Sequence, residues 1–329
     1  MDGLWEEKED VDAFCNWTPD EDVKHIHQEI TEFIAKKGVQ FLFDFIEKKS
    51  NEWKDAKIQI GILGESGSGK SSFLNTIRGL KRGDEGFADQ GYKGNTTSKS
   101  TKYTIKDNPN IIFTDGVGCG TIQYKRDSEY LKSLEIEKLD FVLLMSNRNF
   151  SQDDAWFAKE ICKMGKPLFF VRTKFDEILR SAKVDGISGD FDQLMAAILK
   201  TLSQKKRAAL LYSIPPLSHK VIKEKKEELI RRVYVVSILS AAAAAVPIPG
   251  VDVCVDFSVL YFEIQFYLKE FSLTEDKIES TCKRLKMNYQ ELLSKLPRVR
   301  NFLVTGIKAI IIASIKSELA EKTTEVMAN

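Results

Sequence analysis

The chain has 329 residues, of which 43% are hydrophobic and 29% charged, enough for one large or two ordinary globular domains with a real core. Its 49 basic and 48 acidic residues nearly cancel to a net charge of +1, so it lacks the basic field of a nucleic-acid binder. Five scattered cysteines, no CxxC pair and only three histidines argue against a disulfide framework or a zinc site, and for reduced, mostly buried thiols in a cytosolic protein.

The opening MDGLWEEKED is acidic and has no apolar core, which predicts no signal peptide, and Asp2 rules out N-myristoylation. Thr18-Pro19-Asp20-Glu21 reads as a capping box with proline at the first helical position. Ile26, Ile30, Phe33, Leu42, Phe45 and Ile46 then recur at helical spacing, predicting one amphipathic helix from Asp20 to about Lys49. After Trp53 the pattern changes. Ile58–Leu63, Ile111–Phe113, Phe141–Met145 and Leu168–Val171 read as strands, Lys70 to about Arg78 and Asp153–Met164 as helices, and the polar, Gly-rich stretch Gly83–Lys102 as a loop. Such alternation predicts a parallel sheet covered by helices on both faces. From about Asp190 the chain reads as helical. Leu194, Ile198 and Leu202 form one core stripe, Lys220–Arg232 is highly charged, and Cys282, Leu285, Tyr289, Leu292 and Leu296 form a second core stripe. Val233–Val251 is uncharged and close to membrane-spanning length, but Pro247, Pro249 and many alanines favour two helices meeting at a turn inside a helical core. The expected division is an N-terminal helical segment (1–52), an α/β domain (53–205) and a C-terminal helical region (206–329).

GESGSGKS, Gly64–Ser71, fits GxxxxGK[ST] between a predicted strand and a predicted helix, the context a phosphate-binding P-loop needs. Glycines let the backbone wrap phosphate oxygens so that successive N–H groups point inward, and the helix N-terminus adds favourable partial charge. Lys70 would reach the β- and γ-phosphates and Ser71 would ligate Mg²⁺. Asp115 ends an apolar strand, where a carboxylate contacts Mg²⁺, often through water, and Gly118 follows three residues on, placed for the γ-phosphate. Thr173-Lys174-Phe175-Asp176 follows the strand Leu168–Val171. The Asp176 carboxylate can accept two hydrogen bonds from guanine N1 and N2, donors that adenine lacks, and the Lys174 stem would pack on the base. Thr96 or Thr97 in the polar loop would close over Mg²⁺ and the γ-phosphate. The candidate nucleotide contacts are Gly64, Glu65, Ser66, Gly67, Ser68, Gly69, Lys70, Ser71, Ser72, Thr173, Lys174 and Asp176.

These motifs resemble the immunity-related (interferon-inducible) GTPases. The resemblance rests on KIQIGILGESGSGKSSFLNTIRGL (Lys57–Leu80), NTT (Asn95–Thr97), FVRTKFD (Phe170–Asp176), SAAAAAVPIPGVDV (Ser240–Val253) and FYLKEFSL (Phe266–Leu273). It implies an α/β fold: a P-loop, Ras-like G domain with a mostly parallel sheet, on an α-helical domain built from both chain ends. It further implies GTP and GDP as ligands with Mg²⁺, hydrolysis of GTP, self-assembly through the G domain, and peripheral attachment of a cytoplasmic protein to intracellular membranes in cell-autonomous immunity. It carries the phosphate and metal roles onto Lys70, Ser71, Thr97, Asp115 and Gly118, and the base-contacting roles onto Lys174 and Asp176.

Three departures stand out. Asp115-Gly116-Val117-Gly118 replaces the family's Asp-x-Pro-Gly, so the γ-phosphate contact is expected to be looser, with Gly116 adding freedom. Only 14 residues separate Asp176 from Phe191, where the family has a further helix and strand, so an edge strand and one wall of the base pocket are expected to be missing. The family also continues beyond the position of Asn329 with more helices. Cys119 stands where Ras-type proteins carry a water-orienting glutamine. Two readings therefore stay open: a GTPase, and a nucleotide-binding assembly protein that hydrolyses poorly. An ATP-using P-loop enzyme is the third, and the TKFD motif opposes it. The apolar segment Phe302–Lys316 is a candidate membrane or partner contact.

Overall fold

The computed structural model describes residues 21–38, 41–88, 100–116, 128–147, 150–174, 190–244 and 251–294. Helices α1 (Glu21–Lys37) and α2 (Leu42–Ser50) precede a turn of 3₁₀ helix at Glu52–Asp55. Strand β1 (Ile58–Leu63) leads to α3 (Lys70–Ile77), then to β2 (Thr101–Ile105), β3 (Asn108–Asp115) and α4 (Ser128–Ser133). There follow β4 (Phe141–Ser146), α5 (Gln152–Lys163), β5 (Leu168–Arg172) and α6 (Phe191–Thr201). The remainder is helical: α7 (Gln204–Ser213), α8 (His219–Ala244), α9 (Val251–Glu270), α10 (Glu275–Leu285) and α11 (Tyr289–Ser294).

The single N-terminal helix expected from periodicity is two helices. Gly38 sits at φ 92° and its N–H bonds Ile34 O at 3.0 Å, a left-handed glycine ending the first helix. Apolar spacing continues across the break, which is why the pattern alone did not show it.

The chain divides into two compact units, one formed by residues 51–229 with 267–274 and the other by residues 1–50, 230–266 and 275–329. The first holds a five-stranded sheet of order β2-β3-β1-β4-β5. β1 runs parallel to β3 and β4, and β5 parallel to β4, with Ile60 opposite Phe113 on one side and Phe141 on the other. β2 is antiparallel to β3. It starts at Thr101, inside the stretch read as loop. Thr-Lys-Tyr-Thr-Ile buries only Ile105 well, so its apolar signal is weak.

Both faces of the sheet are covered. Ile58, Ile60 and Ile62 pack with Leu74 and Ile77 of α3, Ile198 and Leu199 of α6, Leu210 and Leu211 of α7, and Val221 of α8. Leu63, Val142 and Leu144 pack with Leu131, Leu134, Phe157 and Ile161 on the other face. At roughly 1.5–3 kcal/mol per fully buried large side chain, the buried isoleucines and Leu63 of β1 and the apolar run Phe141–Met145 of β4 are the main anchors of this unit. Residues 206–229 belong with the sheet, because α7 and the start of α8 supply part of its core. Lys225 Nζ meets Glu270 Oε2 at 2.5 Å in this unit, both side chains being almost completely buried.

In the second unit, Ile30, Leu42 and Ile46 share a core with Val236, Leu239 and Val259, so helices from both chain ends build it. Arg232 forks onto Glu263 at 2.7 and 2.6 Å, and its guanidinium lies 4.2 Å from the Phe266 ring centroid. The expected core stripe through Leu285 does not hold: Leu285 is 50% exposed, and left-handed Lys286 (φ 53°) ends α10, so α11 starts on a new axis. Of the described cysteines, Cys282 is buried and Cys162 exposed. Among the described residues no helix is long and apolar enough to cross a membrane; residues 245–250, 302–316 and Leu296 lie outside them.

Candidate functional site

Because β1, β3, β4 and β5 run parallel, their carboxyl ends lie along one edge of the sheet. That edge is where open α/β sheets bind ligands. Gly64 follows β1, Asp115 ends β3, Ser146 ends β4 and Thr173 follows β5.

The β1–α3 loop has a backbone that only glycines accept at three points: Gly64 at φ 141°, Gly67 at 77° and Gly69 at 91°. Gly64 also passes so close to β4 that a Cβ there would stand 2.0 Å from the Met145 carbonyl oxygen. Gly69 is the residue before α3 and gives it no side-chain cap. The first N–H groups of α3 are thus left to a ligand, as an anion site requires.

Lys70 Nζ donates to Gly64 O at 2.8 Å and to Glu65 O at 3.0 Å, so the ammonium spans the loop it begins beyond. Burial holds its pKa below the ordinary lysine value, partly offset by the negative charges of Asp115 and Glu65. Burial likewise pushes the Asp115 carboxyl up, partly offset by Lys70. The two groups therefore feel each other across the site. Asp115 Oδ1 is buried with no hydrogen-bond partner. An orphaned carboxylate oxygen beside the glycine-built loop fits a cation, alone or through its bound water. Ser68 Oγ is a second buried oxygen without a partner.

Thr173 ties the carboxyl end of β5 to the loop. Its N–H donates to Ser146 O at 2.8 Å, and its hydroxyl lies 2.6 Å from Ser68 O and 3.2 Å from Ser146 O. Lys174 is exposed and left-handed at φ 52°. Ser71 is half-buried, Ser72 and Ser66 exposed. Lys70, Ser68, Asp115 and Thr173 are thus gathered at one place, while Thr96, Thr97, Gly118 and Asp176 lie outside the described residues, as do Val117 and Cys119.

Gly116 N–H donates to Ile62 O at 2.9 Å, and a Cβ there would stand 2.3 Å from Leu63 Cδ2 and 3.1 Å from Leu134 Cδ2, so a larger residue would require those leucine side chains to shift. Val117 and Gly118, where the looser γ-phosphate contact was expected, lie outside the described residues. Sequence reasoning missed Ser146, whose carbonyl receives Thr173. The available signal was the polar residue closing the apolar run Phe141–Met145. Among the described residues the sheet ends at β5; residues 175–189, where the shortened segment falls, lie outside them.

The chain is similar to interferon-gamma-inducible GTPase 10 of Mus musculus, with 26% identity over 304 residues, 80% of this chain and 72% of that one. It is 27% identical over 303 residues to the T-cell-specific guanine nucleotide triphosphate-binding protein 2 of Mus musculus, with the same coverage of 80% and 72%. Among solved structures, mGMPPNP-bound NFeoB from S. thermophilus aligns at 14% identity with a TM-score of 0.29, over 63% of this chain and 96% of that one. The family description "Interferon-inducible GTPase (IIGP)" matches residues 21–188, more than half of the sequence and the whole of the site above. On that match the chain belongs to the interferon-inducible GTPase family.

Proposed function

We propose that this chain binds guanine nucleotide with Mg²⁺ at the β1–α3 loop and hydrolyses GTP to GDP and phosphate, slowly alone and faster when assembled with its own copies. The observation that carries the reading is the juxtaposition at one sheet edge of the glycine-built loop, the half-buried Lys70 and the unpartnered Asp115 oxygen. Lys70 can transfer its hydrogen bonds from loop carbonyls to phosphate oxygens. Ser71 and Asp115 are the residues that would hold Mg²⁺, and the ion would supply charge compensation on the phosphates. Thr97 is proposed to join them, and Gly118 to meet the γ-phosphate. Thr173 holds the base-side strand end against the loop, and Lys174 and Asp176 are proposed to read guanine.

Hydrolysis needs a positioned water and donors for the charge that develops on the phosphates. Cys119 follows Gly118, and the stretch 83–102 contains no arginine, so one chain alone is short of both. Groups supplied in trans by a facing copy are worth roughly 10³–10⁵ in rate in other GTPases. We also propose, on the family resemblance, a cytoplasmic protein attached peripherally to intracellular membranes, which carbonate washing should release.

The test is binding of fluorescent GDP and ADP to wild type and Lys70→Ala, followed by specific activity over a wide protein concentration. The expected results are preference for GDP in wild type, loss of nucleotide binding in Lys70→Ala, and activity per molecule that rises with concentration. Equal ADP and GDP affinity would overturn the guanine reading. Tight GTP binding without turnover at any concentration would instead favour a non-hydrolysing assembly protein, the reading that Cys119 supports.

A further inference from the structure

Helix α3 carries Lys70 and Ser71 in its first turn, and one turn further along the same helix lies Asn75. Asn75 is 2% exposed, among the core side chains Leu74 and Ile77. A carboxamide at such a position is costly unless both of its ends are bonded. Both are, to a single residue: Nδ2 donates to Ala88 O at 2.8 Å, and Ala88 N–H donates to Oδ1 at 2.8 Å. The side chain thus imitates a strand neighbour for Ala88, which is itself 1% exposed in the sheet core. Arg78, just past the end of α3, makes a second pair of such bonds. Its Nη1 donates to Gly86 O at 2.8 Å and its Nε to Thr104 O at 2.9 Å, with the guanidinium 5.3 Å from the Tyr103 ring centroid. The chain between β1 and β3 is therefore fastened at Gly86 and Ala88, and again at Thr104 in β2, to the helix that starts at Lys70.

We propose that Asn75, with Arg78 in support, is a positioning residue for the triphosphate state: it registers the backbone at Ala88 against the helix that bears Lys70 and Ser71. The inference rests on the guanine-nucleotide reading of this site. The chain continuing from Ala88 carries Thr96 and Thr97 in sequence, the threonines proposed for Mg²⁺ and the γ-phosphate. Diphosphate binding draws on the loop, α3 and the base contacts proposed at Lys174 and Asp176, none of which lies in the stretch between Ala88 and β2. Triphosphate binding also draws on where the chain departs from Ala88, since segments of this kind are ordered by γ-phosphate and Mg²⁺ contacts. Losing the Asn75 amide should therefore separate the two nucleotides, which a general loss of stability would not do.

The experiment measures binding of fluorescent GDP and of a fluorescent, non-hydrolysable GTP analogue with Mg²⁺ to full-length wild type, Asn75→Ala and Arg78→Gln, alongside thermal unfolding and amide exchange at Ala88. In Asn75→Ala we expect GDP affinity within about threefold of wild type and GTP-analogue affinity about tenfold weaker, the loss of two buried hydrogen bonds felt in one state. Exchange at Ala88 should quicken, and the extra protection conferred by the triphosphate should disappear. Arg78→Gln should shift the same ratio in the same direction by a smaller factor, and decides the matter alone if Asn75→Ala does not fold. Equal weakening of both nucleotides, or an unchanged ratio in the folded variants, would overturn the proposal. Failure of wild type to bind either guanine nucleotide would instead overturn the site reading on which it rests.

Discussion

Replacing Gly64 by alanine tests the loop geometry most directly, because the structure offers a matched control. Gly64 and Gly83 both have positive φ, 141° and 100°. Alanine at Gly83 would meet nothing within 4 Å, whereas at Gly64 its Cβ would stand 2.0 Å from Met145 O. Each substitution carries the left-handed backbone cost of about 1–2 kcal/mol, less a few tenths for stiffening the unfolded chain. Only Gly64→Ala adds a backbone collision. Met145 cannot yield easily, since β4 is hydrogen-bonded to β1 and β5 on its two sides. The loop must move by more than an ångström to restore ordinary contact, at an overpacking cost of about 1–3 kcal/mol. Gly64→Ala should thus destabilise by about 2–4 kcal/mol, roughly 10 °C in a unit of this size, against a few degrees for Gly83→Ala. Displacing Gly64 O and Glu65 O also displaces Lys70, and misplacement on this scale costs on the order of 100-fold in function. Thermal unfolding and fluorescent GDP titration of both variants provide the assay. If Gly64→Ala is no worse than Gly83→Ala in either measurement, the close approach to β4 does not shape the loop.

Lys225→Met should cost about 3–5 kcal/mol by leaving the buried Glu270 carboxylate without its ammonium, while adding Glu270→Leu should recover most of that; equal urea midpoints for single and double variants would contradict it. Thr173→Val removes the hydroxyl shared by Ser68 O and Ser146 O, worth about 1 kcal/mol, and should weaken GDP binding severalfold with little change in unfolding temperature. The surface carboxyl of Glu135 is held down from 4.5 to about 2 by hydrogen bonds from Lys102 and Lys138. A depressed carboxyl contributes stability above its ordinary value and loses it as pH falls through the folded one. The stability difference between wild type and Glu135→Gln should therefore shrink between pH 4.5 and about 2; a difference that grows on acidification would refute the assignment.

Much of the fold was legible because its causes are local. The strands at Ile58–Leu63, Phe141–Met145 and Leu168–Val171 announce themselves as apolar runs, and the observed strands match them to within a residue. The helix expected at Asp153–Met164 is α5, one residue earlier at each end, started by a reciprocal bond pair between Ser151 and Asp154. β2 was not legible, because an edge strand bonded on one side needs little apolar signal. Its existence depends on Phe113 and Thr114 of β3 lying opposite it. The break at Gly38 and the exposure of Leu285 were hidden for a related reason: periodicity records which residues could share a face, not whether the helix axis continues.

For the site, the amino-acid order alone determined which chemistry was on offer: glycines where the loop turns, a lysine and serine opening a helix, a carboxylate ending a strand. Those features follow from backbone sterics and side-chain functional groups, both properties of short segments. Tertiary structure alone decided why Gly64 must be glycine and why Gly116 is closely packed, since the atoms nearest a Cβ belong to Met145 in the first case and to Leu63 and Leu134 in the second. It also decided that Thr173 bonds a loop 105 residues away and that Asn75 holds Ala88. Such contacts arise when parallel strands bring distant chain ends to one edge, a proximity that no local pattern encodes.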